Sequence, residues 1–268
     1  MIIKILQGMY NQIELTNLTE KLWQMSEKFF TSPNRKRKHS LKEILKAIIY
    51  INKTGCQWRM LPSEFPQWQL VYYYFQKWLR EGVIEEILEN LRNLVRKKLG
   101  KKQSPSVGII DSQSVKSCSY GSESRGIDGN KKINGRKRHI ITDTNGLLLS
   151  VVVHAANEYD GKMAFDVINT LKYRFERMQK IYADGGYRGD ELAEKLKKDL
   201  NYELEITLRS DKSTEFKPLP KRWVIERCFA WLNGFRRLSK DYEKLTETCE
   251  AMIMIAFICL MVNNKIFL

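Results

Sequence analysis

The chain has 268 residues, 43% apolar and 11% aromatic, enough to bury a substantial core in one large domain or two smaller ones and too apolar for a disordered chain. Its 46 Lys and Arg against 31 Asp and Glu leave a formal charge of +15, which asks for a polyanionic partner: nucleic acid first, an acidic membrane surface second. Five scattered cysteines with no C-x-x-C pair argue against a disulfide framework or a zinc site and fit a reducing cytoplasm.

The charge is uneven. Residues 1–106 hold 19 basic against 9 acidic side chains, and residues 107–268 hold 27 against 22. A DNA-binding module is therefore expected first, with most carboxylates after it. The opening Met1-Ile-Ile-Lys-Ile-Leu-Gln lacks the layout of a secretory signal, and the apolar run Ala251–Val262 is too short to span a bilayer. A buried core helix is the expectation for that run.

In chain order, Leu15, Leu18, Leu22 and Met25 recur at helical spacing and predict a helix within 12–31. Arg35-Lys-Arg-Lys38 follows, readable either as a solvated loop or as a phosphate-contacting patch. Ser40 and Glu43 form a capping box that opens a helix over Leu41–Lys53, closed by Gly55. Two more helices are predicted, Gln67–Arg80 and Val83–Leu99, separated by Gly82. Helix, short turn and helix in a basic setting is compatible with a helix-turn-helix arrangement. On that view Gln67, Gln69, Tyr73, Gln76 and Lys77 form the outer face of a recognition helix, while Tyr72, Phe75 and Trp78 are core. The basic linker 97–106 marks the expected boundary between a helical DNA-binding domain, 1–100, and a second domain, 101–268.

The second part opens on Val107-Gly-Ile-Ile-Asp111, a β-branched apolar run delivering a carboxylate at its end. Ser117–Gly135 reads as a long mobile loop. Arg136–Asp143 and Leu147–His154 are predicted strands joined by the hairpin turn Thr144-Asn-Gly146. A helix from Tyr159-Asp160-Gly161 to about Phe175 is expected, then Lys180-Ile-Tyr-Ala-Asp184, which repeats the device of a short strand ending in Asp. Helix Asp190–Leu200, strand Tyr202–Arg209, the helix carrying Glu226 and the final apolar helix complete the order. That order matches an α/β fold of ribonuclease H-like type, a mixed five-stranded sheet with helices. In it Asp111 and Asp184 would end on adjacent strands and Glu226 would lie across them. Three gathered carboxylates repel one another unless a cation neutralises them, and oxygen ligands select Mg²⁺ or Mn²⁺. Two such ions can serve a phosphodiester displacement. Alone, the Glu226 signal reads better as an Arg222–Glu226 salt bridge on a solvated face. His139, beside Arg136, Lys137 and Arg138, is a candidate phosphate donor; His154 reads as structural.

Gly108-Ile-Ile-Asp-Ser-Gln-Ser-Val-Lys116, Gly135-Arg-Lys-Arg-His139, Tyr182-Ala-Asp-Gly-Gly-Tyr-Arg-Gly189 and Arg222-Trp-Val-Ile-Glu-Arg-Cys-Phe-Ala-Trp-Leu232 resemble the DDE transposases of bacterial insertion sequences. The likeness is to the insertion-sequence-five branch of the insertion-sequence-four superfamily; Thr54–Pro62 and Leu238–Glu243 resemble it too. The resemblance implies that Asp111, Asp184 and Glu226 are the DDE triad holding Mg²⁺ or Mn²⁺. It implies a ribonuclease H-like core after a helical DNA-binding domain, with Tyr187 and Arg188 contacting a DNA end. It implies double-stranded DNA as partner, cleavage at terminal inverted repeats, joining of 3′-hydroxyl ends to target DNA, a homodimer on paired ends and a cytoplasmic, nucleoid-associated protein. The family's glutamate motif expects Tyr and Lys where this chain has Leu219 and Asn233, leaving Arg236, Arg237 and Lys240 as candidate replacements beside Arg222. A nuclease of the same fold without strand transfer, or an inactive DNA-binding protein, are the alternatives.

Overall fold

The structure is a computed structural model; it describes residues 15–30, 37–118, 122–207 and 222–263, with the side chain of Arg222 outside that set. Arg35, Lys36 and Leu219 also lie outside it.

The chain begins with α1 (residues 15–26) and its short 3₁₀ continuation Glu27–Phe29. In α2 (Leu41–Thr54) the capping box forms as expected: Glu43 N–H donates to Ser40 Oγ, and Ser40 N–H donates to the Glu43 carboxylate at 2.8 Å. Gly55 ends the helix at φ 71°, and a Cβ there would sit 3.0 Å from the backbone of Arg236, so both conformation and space select glycine. Two further helices, α3 (Trp68–Arg80) and α4 (Val83–Lys98), follow with boundaries within a residue of those predicted. Phe75 and Trp78 are buried, as their spacing implied, while Tyr72 is half-exposed and meets Trp58 edge-on.

The sheet comprises β1 (Val107–Lys116), β2 (Gly126–Asp128), β3 (Ile133–Thr142), β4 (Leu148–Ala155), β5 (Lys180–Ala183) and β6 (Glu203–Ile206). Its order is β2-β3-β1-β5-β6, with β4 also paired to β3. β3 runs antiparallel to both β1 and β4; β5 and β6 run parallel to β1. The class is α/β with a mixed sheet. It has six strands rather than five because β2 lies inside the stretch read as a loop: Gly126–Asp128 pairs with Ile133–Gly135, and Asp128 is buried against Ser114. Helix α5 (Asp160–Asn169) stops well short of Phe175. Thr170 turns its hydroxyl back onto the Val167 carbonyl, and Tyr173 takes φ 66°, which no helix interior accommodates. After β5 come α6 (Asp190–Leu200) and β6, and the chain closes with α7 (Arg222–Leu232) and α8 (Thr246–Val262).

Helix α8 is apolar all round because it is covered all round: every residue from Ala251 to Val262 is buried. Its core is continuous from Leu22, Ile44 and Phe75 of the first helices through Met252 and Phe257 to Ile109 and Ile140 of the sheet. The helices before residue 100 are therefore seated on the sheet through α8. Asn52 donates to the Met252 carbonyl (2.8 Å), Arg92 to Leu148 (3.2 Å), and Arg96 pairs with Asp143. The other face of the sheet carries its own core, with Ile110, Ile141 and Ile181 beneath Ala164, Ile168 and Leu196. No helix among the described residues is long and apolar enough to cross a membrane.

On α8, Glu250 accepts the Val153 N–H at 2.7 Å inside this seam. Burial, with Glu247 and Glu85 nearby, pushes its carboxyl up to about 7. The folded state thus holds a proton that the unfolded chain releases at ordinary glutamate values. The associated stability is complete below that ordinary range and is lost as pH rises through about 7. Glu250→Gln should consequently raise the unfolding free energy at pH 8 by on the order of 2 kcal/mol and change it little at pH 4.5. Urea titrations at the two pH values measure this; equal shifts at both would contradict it.

Candidate active site

The pairing of β1 and β5 sets up the site. Their register runs Val107–Lys180, Gly108–Ile181 and Ile109–Tyr182, and two further steps bring Asp111 opposite Asp184. Asp111 is not at the end of its strand, as the sequence suggested, but halfway along it. It lies just past the point where β5 stops, while Ser112–Lys116 continue pairing with β3. Alternation turns Asp111, with Ile109, toward the face that α7 and α8 cover, and turns Ser112 and Ser114 to the α5 face.

Each aspartate has one oxygen fixed by a neighbouring backbone amide. Ser112 N–H donates to Asp111 Oδ1 at 2.7 Å, and Gly186 N–H donates to Asp184 Oδ1 at 2.8 Å in the turn Gly185–Tyr187. The second glycine leaves room for this contact: a Cβ at Gly186 would lie 3.0 Å from Asp184 Oδ1 and press on the carboxylate. Arg188 is exposed and folds its guanidinium back over Gly185, beside Asp184.

Helix α7 is held against the sheet by the Asn-Gly turn, which lies beyond the Val107 end of β1. Val224, Ile225 and Cys228 enter the core shared with Ile109, Cys228 Sγ reaches the Gly146 carbonyl at 3.4 Å, and Arg227 donates to the Asn145 carbonyl at 3.0 Å. Arg227 lies between the rings of Trp223 and Trp231, one turn away on either side. Glu226 is exposed on this helix. Gly146 has φ 87°, and a Cβ there would stand 3.0 Å from Cys228 Sγ. Gly146→Ala is accordingly expected to cost about 1–2 kcal/mol and to loosen α7, read as a lowered melting temperature. An unchanged melting temperature would mean that the turn does not seat the helix.

The register thus sets Asp111 across from Asp184, and α7, which carries the exposed Glu226, packs against β1. Among the described residues no three Asp, Glu, His or Cys side chains converge closely enough to enclose a metal ion. The donors themselves, carboxylate oxygens carried by adjacent parallel strands, are those a hard divalent cation takes.

The basic strand does not face solvent. Arg136, Arg138 and His139, expected to touch phosphate, are at most 1% exposed, and Lys137 is 6% exposed. Arg136 donates to Asp241 (3.0 Å) and to the carbonyls of Glu123, Glu243 and Lys244; Arg138 donates to the carbonyls of Leu238 and Lys240. Arg237, also buried, pairs with Glu243 at 2.7 Å. These arginines clamp residues 236–244 to the sheet, a role that their burial leaves no room to exchange for DNA contact. On the opposite face Lys137 reaches Asp160 (3.0 Å) and the Glu158 carbonyl, and His139 Nδ1 meets His154 Nε2 at 2.7 Å. Tyr187, expected at a DNA end, is 1% exposed, since its ring fills the core under α5. The available candidates are Gln69, Tyr73, Arg188, Arg236 and Lys240, all exposed, with Lys77 half-exposed and 3.8 Å from Glu81. Sequence reading missed Asp128, Asp160, Asp241 and Glu243. The alternation of Asp241-Tyr-Glu243 against Arg136-Lys-Arg138 was the available signal.

Residues 102–262 match the family model described as Transposase DDE domain. The chain belongs to the DDE transposases. Its first part, residues 18–88, matches the model for transposases of the IS4/5 family (DUF4096). Over 140 residues this DDE transposase is 29% identical to the curated protein of Burkholderia cepacia assigned as transposase for insertion sequence element IS402. That alignment covers 49% of this chain and 64% of the relative, so the chain spans just under two thirds of the relative's length. Among solved structures, one match is the piggyBac transposase synaptic complex with hairpin DNA, at a TM-score of 0.39 and 10% identity, covering 92% of this chain and 72% of that one.

Proposed function

We propose that this chain cuts and joins DNA at the ends of its insertion sequence, with Asp111, Asp184 and Glu226 as the acids that hold Mg²⁺ or Mn²⁺. The observation that supports the reading is the pairing register that sets Asp111 across from Asp184. Three strands in antiparallel order, with two parallel strands added beside the first, are in keeping with a ribonuclease H-like core. The basic helices before residue 100 are our candidate DNA-binding unit, docked on that core by α8 rather than tethered to it.

The donor set fits a hard cation, and DDE transposases generally use divalent metal ions. One or two such ions, when bound, supply Lewis-acid polarisation of a phosphodiester and stabilisation of charge on the attacking and leaving oxygens. The protein's own part is positional. Backbone amides hold one oxygen each of Asp111 and Asp184 in place. Arg188, next to Asp184, is placed to meet the phosphate beside the scissile bond. Arg222, Arg236 and Lys240, on and after α7, extend that positive edge; Gln69, Tyr73 and Lys77 on α3 are the candidate readers of the terminal repeat. A homodimer would bring two ends together.

The experiment is incubation of purified chain with labelled duplexes carrying the element's ends, plus Mg²⁺ and a target plasmid. Joined products are the expected result. Nicked but unjoined DNA would reduce the assignment to a nuclease, and a stable uncut complex would overturn it.

A further inference from the structure

Between α2 and α3 the chain makes a connection, residues 55–67, that is fixed from two sides. On one side Trp58 packs onto α3, its ring 5.0 Å from Tyr72 and 5.3 Å from Phe75. The backbone there closes a 3₁₀ turn, Trp58–Met60, with Met60 N–H donating to the Gln57 carbonyl at 2.9 Å. On the other side lies the chain that leaves α7. Buried Arg237 donates to the Cys56 carbonyl at 3.2 Å, Lys53 Nζ sits 4.1 Å over the Phe235 ring, and Gly55 abuts the backbone of Arg236. Segments some 180 positions apart in sequence thus meet in one tight junction.

What the turn holds out is Arg59. Its guanidinium is exposed and lies over the Trp68 ring at 4.9 Å, with no acidic partner among the described residues. A contact with the ring face restrains the guanidinium without consuming its N–H donors, which leaves a preset fork for a phosphate. Across the junction Arg236 is exposed too, and likewise has no acidic partner among the described residues. Lys42, Lys77 and Lys180, by contrast, are each paired with a glutamate. The connection's own acid, Glu64, exerts its charge on Tyr50.

We infer that the turn Trp58–Met60 is a further DNA-binding element, in which Arg59 holds a phosphate of the duplex read by α3 while Arg236 grips the same duplex across the junction. Trp68, beneath Arg59, opens α3 and immediately precedes Gln69, the candidate base reader, so a backbone seated on Arg59 borders that reading face. The 19 basic against 9 acidic side chains of residues 1–106 favour a phosphate backbone, whose charge is continuous, over a protein with scattered carboxylates. Because Arg237 and Phe235 close the junction, the two grips keep a fixed spacing. The inference rests on the reading of this chain as a DNA binder, and its test separates the two.

The test is binding of the full chain to a labelled duplex carrying one end of the element, without divalent metal, over a series of salt concentrations. Arg59→Ala should weaken binding about 5–10-fold and lower the slope of log affinity against log salt by about 1, with the melting temperature unchanged. Arg59→Lys should keep the wild-type slope because it keeps the charge. Adding Arg236→Ala to Arg59→Ala should lower the slope again by a similar amount. Wild-type affinity and slope in Arg59→Ala would overturn the inference. A melting temperature lowered in both Arg59→Ala and Arg59→Lys would overturn it as well, by making the contact with Trp68 structural. A double variant no weaker than Arg59→Ala would overturn the shared grip. A wild-type chain that leaves the duplex unbound would instead remove the DNA reading beneath the inference.

Discussion

Asp111→Asn and Asp184→Asn are each expected to reduce DNA cleavage by about 10³-fold or more, roughly 4 kcal/mol of transition-state stabilisation, while DNA affinity stays within about twofold. The substitution is nearly isosteric. Each aspartate uses one oxygen to accept a backbone amide, from Ser112 and from Gly186, and the Asn carbonyl oxygen can accept the same bond. What disappears is one negative charge from a pair set side by side by the β1–β5 register. The change leaves side-chain volume almost unaltered, so the melting temperature should change little. Cleavage of end-bearing duplexes, DNA affinity and thermal melting together decide the matter. A variant that melts lower and loses DNA binding would make the acid structural; one that still cuts would remove it from the chemistry. Glu226→Gln should lose cleavage in the same way. Its exposure on α7 predicts an even smaller effect on stability.

What could be read from the sequence follows from period and chain direction. The helices before residue 100 were legible because Ser40, Glu43, Gly55 and Gly82 punctuate them and apolar spacing fills them. The order of strands and helices after residue 107 was legible too, and with it the prospect of Asp111 beside Asp184. Orientation was not. Arg136, Lys137, Arg138 and His139 look like a phosphate-binding stripe, yet alternation sends them to opposite faces of a sheet covered on both sides. A basic run is a surface feature only where one face meets solvent, and composition carries no information about how many layers cover a strand. Tyr187 was misplaced for a related reason: the glycines before it suggest a loop, but the loop folds back and buries its aromatic. β2 was hidden among Gly and Ser because its pairing partner, Ile133–Gly135, lies in the same loop-like stretch.

Arg136→Met is expected to cost about 3–5 kcal/mol of stability without acting on DNA. Both Arg136 and Asp241 have side chains at 0% exposure, and the guanidinium also serves the carbonyls of Glu123, Glu243 and Lys244. Methionine fills similar volume but leaves Asp241 charged and three carbonyls short of a donor, which is the expensive way to break a buried pair. The double variant Arg136→Met/Asp241→Asn should recover part of the loss, since it removes the stranded charge. Denaturant midpoints of the two variants measure this, and DNA affinity is compared below the melting temperature of each. Folded Arg136→Met should bind DNA within about twofold of the wild type, whereas Arg188→Ala and Lys240→Ala, which are exposed, should melt normally and bind more weakly, with a shallower salt dependence. The reverse pattern, normal folding with lost DNA affinity at Arg136, would mean that the strand opens to reach phosphate and that the clamp on residues 236–244 is only one of its states.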